Sequence, residues 1–396
     1  MTNRYIPFTL LFIFAAFIYQ MKAQNNDSIS QQSSLEIGDA GEVSFRYCGK
    51  AKRVVLAGDF LYYDEDTINY LPRSRRLKMH KGIDGCFHIT TKPLSPETYT
   101  YCFYVNGKRK PDIMNNDTSW QKMHKWNVIS VGGTPQADLY LPPKQQGELV
   151  RTLWYSKEEN LNRRVNIYLP AAYFSAPDEH FPVLYLLHGI NGYEGSWAER
   201  GRAIQIIENL VEAGKANPMI IVMPDNNARP HEDRPSHHTL FNNIMHYVSL
   251  QHDHRIEHSV GDLMQLIDST YRVSEELYIA GLSDGARIAA NIVNEHPNKF
   301  SAVGMFSPVV HKQQLPCDTC QNIGYYIYVG KSDMFRNNGK KFSKRLLKRI
   351  EQSQQNNTGT TTPADSITCY YTESIGGHNW RYWRYCLADF ICRIKK

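Results

Sequence analysis

A serine between two glycines is the feature of the sequence that most directly suggests chemistry. Ser283 stands two residues from both Gly281 and Gly285; an apolar run, 277–280, precedes this pattern and a helix-like run, 287–293, follows it. A serine on a sharp strand-to-helix turn has a strained backbone, and side chains two residues away would collide there, so only glycine fits. The following helix would also direct its amides at a developing oxyanion. We therefore predict that Ser283 is the nucleophile of an acyl-transfer reaction.

A nucleophilic serine needs a base and an acid, and both candidates come later in the chain. Two glycines precede His378 and would free a loop to place its imidazole over the serine. Asp333 follows an apolar run, and its carboxylate would orient His378 and stabilise the imidazolium that forms. Asp365 and Glu373 are weaker candidates for the acid, the first in a polar loop and the second in a strand-like run. The predicted triad is Ser283, Asp333 and His378.

The loop after the apolar run 183–187 is predicted to supply part of an oxyanion hole. Its glycines let the backbone approach a substrate, and an amide near Ile190 could pair with the amide of Asp284. His188 in this loop is interpreted as a structural residue rather than as the base.

Two further patterns suggest metal or redox chemistry. His254 and His258 fit the His-x-x-Glu-His pattern of some zinc proteases, but a zinc site needs a third protein ligand on a rigid element. Cys317 and Cys320 are spaced like half of a zinc site or a redox pair, and no second pair at ligand spacing accompanies them. We interpret the first stretch as the start of a helix and the second as a loop disulfide or free thiols. No metal and no cofactor are expected.

Length and composition place these residues in a larger framework. A chain of 396 residues exceeds the usual size of one core, and eight cysteines permit disulfides after export. A net charge of +6 is mild for this length, so a nucleic-acid partner is not expected. Residues 1–23 combine Arg4, an apolar core and Ala23, which predicts a signal peptide. We expect a periplasmic or secreted protein without stable membrane insertion after signal removal; a retained membrane anchor is the alternative.

The remaining chain divides into two patterns. Residues 35–140 contain short alternating or buried runs typical of an all-β sandwich, with a hairpin turn at Asn106 and Gly107. A linker rich in Gly, Pro and Gln is predicted at 141–150. From 151 to 396, continuous apolar runs alternate with helical stretches, which predicts an α/β fold with a mostly parallel sheet between helix layers.

Two resemblances extend this interpretation. The sequences VVLAGDF (54–60) and YTYCFYVNGKRKPD (99–112) resemble the N-terminal immunoglobulin-like domain of isoamylases and several secreted esterases. Residues from about 150 to 390 resemble the esterase D-type α/β-hydrolases, in particular carbohydrate esterase family 1, which includes feruloyl and acetylxylan esterases. Three stretches carry this resemblance besides the triad positions: Val165-Asn-Ile-Tyr-Leu-Pro170, Ile221-Val-Met-Pro-Asp225 and Tyr271-Arg-Val273.

The resemblance implies an α/β-hydrolase sheet with helices on both faces, preceded by a small all-β immunoglobulin-like sandwich, and a Ser-His-Asp acyl-enzyme mechanism. This sequence departs from the family in having Asp284 where Met is common and Asn379 where Asp is common. Asp284 adds a carboxylate beside the nucleophile, which could disfavour anionic substrates.

The resulting function hypothesis is a serine esterase that removes feruloyl or acetyl groups from xylan-type polysaccharides or oligosaccharides. Aromatic residues near the expected site could stack on a phenolic ring or a sugar face. They are Tyr193, Trp197, Trp380 and Trp383. Two alternatives stay open: a siderophore esterase, for which Arg229 and Arg234 would supply cations, and a catalytically silent binding protein. The acyl group, the sugar, the disulfide pairing, the oligomeric state and carbohydrate binding by the first domain are left open.

Overall fold

Three β-sheets and eight α-helices organise the part of the chain that the computed structural model describes. That part comprises residues 34–61, 76–121, 124–190, 192–227, 255–310, 312–317, 319–356 and 367–395. The strands are β1 (Leu35–Ile37), β2 (Val43–Tyr47), β3 (Val54–Gly58), β4 (Leu77–Lys78), β5 (His80–Lys81), β6 (Phe87–Thr90), β7 (Glu97–Val105), β8 (Lys108–Lys110), β9 (Thr118–Gln121), β10 (His124–Val131), β11 (Glu148–Ser156), β12 (Leu161–Leu169), β13 (Phe181–Leu187), β14 (Ile220–Pro224), β15 (Val273–Leu282), β16 (Ala302–Phe306), β17 (Gly324–Gly330) and β18 (Thr368–Ser374). The helices are α1 (Pro135–Asp138), α2 (Ala171–Ser175), α3 (Ser196–Glu199), α4 (Ala203–Glu212), α5 (Arg255–Thr270), α6 (Asp284–Glu295), α7 (Arg336–Asn356) and α8 (Trp380–Ile394).

The N-terminal strands form two antiparallel sheets with a shared apolar core. One sheet has the order β1-β2-β6-β5 and the other β4-β3-β7-β10-β9, with β8 paired to β7. The ring of Phe45 on the first sheet packs edge-on against Tyr101 on the second, with centroids 4.8 Å apart. A disulfide joins Cys48 to Cys86. The β7–β8 turn falls at Asn106 and Gly107, both with positive φ, as the sequence predicts. Assignment of these strands to an immunoglobulin-like domain remains a prediction.

The third sheet is the scaffold of the rest of the chain and confirms the predicted α/β fold. Its order is β11-β12-β14-β13-β15-β16-β17-β18. The pairs from β14 through β18 are parallel, and β11 and β12 are antiparallel to their neighbours. Apolar side chains from α5, α6 and α7 cover one face, and those from α4 and α8 cover the other. Burial on both faces explains the continuous apolar runs of the central strands.

Of the two edge strands of the large sheet, β11 was not expected from the sequence, and β18 was expected only as a strand-like run around Glu373. Strand β11 begins at Glu148, so the last residues of the predicted 141–150 linker belong to the large sheet. Strand β18 carries Glu373 within a half-buried, largely polar segment. Helix α7 extends to Asn356, so the polar tract 353–363, whose composition predicts a loop, begins inside a helix. Edge strands lack the two-sided burial that makes central strands recognisable.

Ion pairs join the N-terminal strands to the helices of the large sheet. Glu97 at the start of β7 lies 2.7 Å from Nη2 of Arg384 and 3.0 Å from Nε of Arg381, both on α8. Arg202, directly before α4, lies 2.8 Å from the carboxylate of Asp117. Because α8 begins two residues after the predicted base, these contacts connect the N-terminal strands to the element that carries it.

Several predictions concern residues outside this description. The predicted signal peptide, 1–23, lies outside the described residues, as do Arg229, Arg234, His254 and Asp365. Within the described helices, no segment is both long and apolar enough to cross a membrane. Cys317 and Cys320 are free thiols, which agrees with one of the two interpretations of that pair.

Candidate active site

The turn from β15 to α6 has the strained geometry that the sequence predicts. Ser283 lies between the two elements with φ +55° and ψ −116°. A Cβ atom on Gly281 would lie 2.3 Å from the carbonyl oxygen of Gly285, and one on Gly285 would lie 2.4 Å from that of His188. Both distances are far shorter than a van der Waals contact. The two glycines are therefore required by the close passage of backbone on either side of the serine.

Three side chains meet at the carboxyl ends of the parallel strands. Nε2 of His378 lies 3.0 Å from Oγ of Ser283. Nδ1 of the same ring lies 3.0 Å and 3.2 Å from the carboxylate oxygens of Asp333. Ser283 follows β15, Asp333 follows β17 and His378 follows β18, so the sheet brings together residues far apart in sequence. The structure thus places the predicted nucleophile, base and acid in one hydrogen-bonded chain.

The carboxylate of Asp333 is held ionised by its surroundings. Burial raises the pKa of this group, but the hydrogen bond and charge of His378, with donors from Ser307 and the Phe335 amide, outweigh it. The pKa of Asp333 therefore lies below its usual value, and the group stays negative at neutral pH. A buried anion beside Nδ1 favours a proton on that nitrogen, which leaves Nε2 free to accept one from the serine.

Two aromatic rings hold the imidazole in place. Phe335 and Trp383 each pack edge-on against His378 with centroids 5.0 Å apart. The indole N–H of Trp383 donates to Oγ of Ser307 at 3.0 Å, which fixes the ring. Sequence reasoning missed Phe335 and Ser307 as members of this site. Phe335 lies two residues after Asp333, and Ser307 directly follows β16; these positions were the signals that the sequence offered.

The predicted oxyanion loop lies against the nucleophile. A Cβ atom on Gly189 would lie 3.2 Å from Cβ of Ser283, so the backbone that leads to Ile190 passes beside the serine. Asp284 opens α6, where helix amides have no partner within the helix. The use of the Ile190 and Asp284 amides as an oxyanion hole remains a prediction.

The two family departures are accommodated without loss of a catalytic atom. The buried carboxylate of Asp284 lies 2.7 Å from Nε of Arg287. Nη1 of the same arginine lies 3.4 Å from the carboxylate of Glu257. One guanidinium thus faces two carboxylates, so the predicted repulsion of anionic substrates is offset only in part. Asn379 caps α8 by accepting from the amide of Tyr382 at 3.1 Å.

His188 has the structural role that the sequence analysis gave it. Its ring is buried, accepts at Nε2 from the amide of Asn226 at 3.1 Å and lies 3.3 Å from the Asp225 carboxylate. Its own amide donates to the Asn226 side chain at 2.9 Å. These bonds tie the oxyanion loop to the residues after β14.

The four predicted substrate-binding aromatics differ in exposure. Trp197 is 1% exposed and its indole donates to the carbonyl of Leu187, so it is a core residue and the prediction for it is wrong. Trp383 is 7% exposed, and it supports the imidazole rather than forming an open wall. Tyr193 and Trp380 are half-buried, so their role remains a prediction. Packing, which a loop sequence does not reveal, decides these differences.

Exposed apolar side chains flank the triad instead. Met334 follows Asp333 directly and is 79% exposed, and Ile375, in the loop before His378, is 82% exposed. Ile190 is also exposed. Apolar side chains left in water beside a polar site are candidates to contact a flat apolar group of a ligand.

Residues 255–258 of the His-x-x-Glu-His stretch lie at the start of α5, as the helix interpretation of the sequence predicts. Glu257 is buried and accepts from Asn291 at 3.0 Å, while His254 and the side chain of His258 lie outside the described residues. Among the residues described, no group of three or more His, Cys, Asp or Glu could hold a metal ion.

The backbone of Ser283 is strained, its hydroxyl is hydrogen-bonded to His378, and His378 is paired with the buried Asp333 at the carboxyl edge of a parallel sheet. This is the arrangement of a serine hydrolase. The profile of the Esterase family matches residues 156–393, more than half of the sequence. The chain belongs to the Esterase family, which confirms the predicted class of a carboxylic ester hydrolase at the level of the family.

Individual relatives share parts of this architecture. The endo-1,4-beta-xylanase/feruloyl esterase of Xylanibacter ruminicola is 26% identical over 242 residues, 58% of this chain and 31% of the relative. An uncharacterized protein of Corynebacterium glutamicum is 23% identical over 257 residues, 58% of this chain and 56% of the relative. The chain thus spans about a third and about half of these relatives. Enterochelin esterase from Shigella flexneri has a similar fold, with a TM-score of 0.55 at 15% identity over 93% of this chain and 97% of that one.

Proposed function

We propose that this protein is a serine esterase that hydrolyses feruloyl esters on xylan-type polysaccharides or their fragments, outside the cytoplasm. The observation that carries the proposal is the unbroken chain from Ser283 Oγ through His378 to Asp333, with a distance of 3.0 Å between Oγ and Nε2. Membership of the Esterase family supports the reaction class.

The proposed reaction proceeds through an acyl-enzyme. His378 Nε2 takes the proton of Ser283 as Oγ attacks the ester carbonyl, while Asp333 stabilises the imidazolium through Nδ1. The oxyanion is held by amides near Ile190 and at Asp284, and His378 then gives its proton to the departing sugar oxygen. A water molecule, activated by the same imidazole, attacks the acyl-enzyme and releases the acid and free Ser283.

The choice of substrate rests on the rim and on one relative. A hydroxycinnamoyl ring needs an apolar surface, which Ile190, Met334 and Ile375 supply next to the triad, with Tyr193 and Trp380 partly accessible. An acetyl group needs no such surface. The relative named as a feruloyl esterase also carries a xylanase name, which supports a polysaccharide context. The sequence of residues 1–23 supports export.

A siderophore esterase is the second candidate. The similarity to enterochelin esterase extends over the N-terminal strands as well as the large sheet, which favours a shared architecture but not a shared substrate. A catecholate lactone carries negative charge when iron-bound, and Arg229 and Arg234, which would meet it, lie outside the described residues. Arg287 offsets only part of the negative charge of Asp284 that would oppose such a substrate.

A panel of purified esters separates these candidates. Methyl ferulate and feruloylated arabinoxylan fragments should be hydrolysed with a higher kcat/KM than acetylated xylan or a catecholate trilactone. A kcat/KM for the lactone at least tenfold higher than for the feruloyl esters would favour the siderophore candidate. This difference corresponds to about 1.4 kcal/mol in transition-state binding. Ser283→Ala should remove at least about three orders of magnitude of the rate. Wild-type protein that is inert on every ester would favour a silent binding protein.

A further inference from the structure

An open cavity of about 430 Å³ lies between the chain that follows β16 and helix α7. It is lined by Val310, Lys312, Gln313, Asn338, Lys341 and Arg345. Volumes of 300 to 1,000 Å³ are usual for pockets that bind small ligands, roughly the scale of one or two sugar units. We call it the basic cavity.

Its walls are tied to the nucleophile turn. The amide of Val309 donates to the carbonyl of Ser283 at 3.2 Å, and the next amide, of Val310, donates to Oδ1 of Asn338 at 2.6 Å. Asn338, Lys341 and Arg345 are three and four residues apart on α7, so they share one helix face. The chain that follows β16 therefore contacts both the carbonyl of the nucleophile and this helix face.

The lining carries charge of one sign. Lys312, Lys341 and Arg345 are exposed, and within the described residues none of them has an ion-pair partner. Among the described residues, no carboxylate lines the cavity. The same helix holds seven Lys or Arg and no Asp or Glu between residues 336 and 349. Like charges around a concave wall focus the field and attract anions.

We propose that the basic cavity binds a carboxylate-bearing sugar unit of the substrate polysaccharide and gives the enzyme a preference for ferulate esters on acidic oligosaccharides. Arg345 can bind a carboxylate through two nitrogens. The side-chain amide N–H groups of Asn338 and Gln313 can donate to sugar hydroxyls. This inference rests on the proposed function, because it assigns a sugar-binding subsite to that reaction.

The kinetic test compares three feruloyl esters: methyl ferulate, a neutral feruloylated arabinoxylo-oligosaccharide, and the same oligosaccharide with a glucuronic acid unit. The double variant Lys341→Gln/Arg345→Gln should lower kcat/KM on the acidic ester by about fivefold, the effect expected from two exposed charge contacts. Its rates on the two neutral esters should not change.

The control is Lys344→Gln/Lys348→Gln, which removes the same charge from exposed positions of α7 that do not line the cavity. It should leave all three rates unchanged. An equal loss in the control variant would assign the effect to the general field of the helix and overturn the proposal. Wild-type protein with no preference between the acidic and neutral oligosaccharides would overturn it as well.

A binding measurement separates this inference from the proposed function. Calorimetric titration of Ser283→Ala with the glucuronic acid oligosaccharide lacking the ferulate should give binding that Lys341→Gln/Arg345→Gln removes. Activity on methyl ferulate without such binding would refute the proposed role of the basic cavity and leave the esterase function standing. Binding without activity on any ester keeps the cavity and refutes the esterase. Tighter binding of inorganic phosphate than of the oligosaccharide would refute the assignment to a carboxylated sugar.

Discussion

The catalytic centre and the rim around it are built in different ways. In the centre, each polar atom of Ser283, His378 and Asp333 that the reaction uses has a fixed partner, and packed rings hold the imidazole. At the rim, Ile190, Met334, Ile375 and the cations of the basic cavity stand in solvent. The chemistry is thus set by a few local constraints, while recognition depends on which side chains the surrounding packing leaves exposed.

The largest effect expected in a test of this contrast comes from the acid of the triad. Asp333→Asn keeps the shape of the centre but favours the wrong tautomer of His378, so kcat on methyl ferulate should fall by about 10⁴. A loss smaller than tenfold would show that another carboxylate, such as Glu373, orients the base.

The same variant has a pH signature. The folded protein holds the pKa of Asp333 below the usual 3.8, so the ionised group stabilises the fold above that pH. This contribution is lost as the pH falls through the lowered pKa. The difference in free energy of unfolding between wild type and Asp333→Asn, measured by urea denaturation, should therefore shrink at acidic pH.

A smaller effect is expected where the N-terminal strands meet α8. Glu97→Gln leaves Arg384 and Arg381 without their shared carboxylate and should cost roughly 3 kcal/mol of unfolding free energy. Because the triad does not use Glu97, kcat should change little under native conditions. Glu36→Gln, at an exposed position of β1, is the matched control and should be neutral. Unchanged stability in Glu97→Gln would mean that the two parts do not support each other.

A substitution of Trp383 tests whether this residue belongs to the catalytic centre or to the rim. Trp383→Phe keeps a ring on His378 but removes the hydrogen bond to Ser307, so kcat should fall roughly five- to tenfold with KM unchanged. Trp380→Phe, at the half-buried neighbour, should instead raise KM and preserve kcat. If Trp383→Phe raised KM alone, Trp383 would belong to the substrate surface, as the sequence analysis supposed.

Removal of metal ions is the change from which we expect no effect on the rate. The proposed steps use an imidazole, a carboxylate and backbone amides, so incubation with EDTA should leave the rate on methyl ferulate unchanged. A loss that zinc restores would return His254 and His258 to consideration as metal ligands.

The sequence predicted the positions of the triad because strict local rules govern them. The strain at Ser283 admits only glycine at two neighbouring positions, and the order of strands places Asp333 and His378 at the same edge. The central strands were equally visible as continuous apolar runs. Polar edge strands such as β11 carry no comparable signal, since only part of their surface is buried.

Exposure at the rim could not be predicted in the same way. Trp197 follows the predicted oxyanion loop and Trp380 follows His378, yet the first is in the core and the second is partly accessible. The cations of the basic cavity come from a short turn after β16 and from α7, and only the folded chain shows that they share a wall. Because these residues are far apart in sequence, the sequence alone does not show that they form one surface.

Covalent labelling of the nucleophile tests the central claim most directly. An aryl phosphonate should react once per chain, and peptide mass spectrometry should locate the adduct on Ser283, with hydrolysis of methyl ferulate lost in proportion to labelling. The Ser283→Ala variant should remain unlabelled under the same conditions. An adduct on a different residue that accompanies the loss of activity, or full activity in a completely labelled protein, would contradict the account.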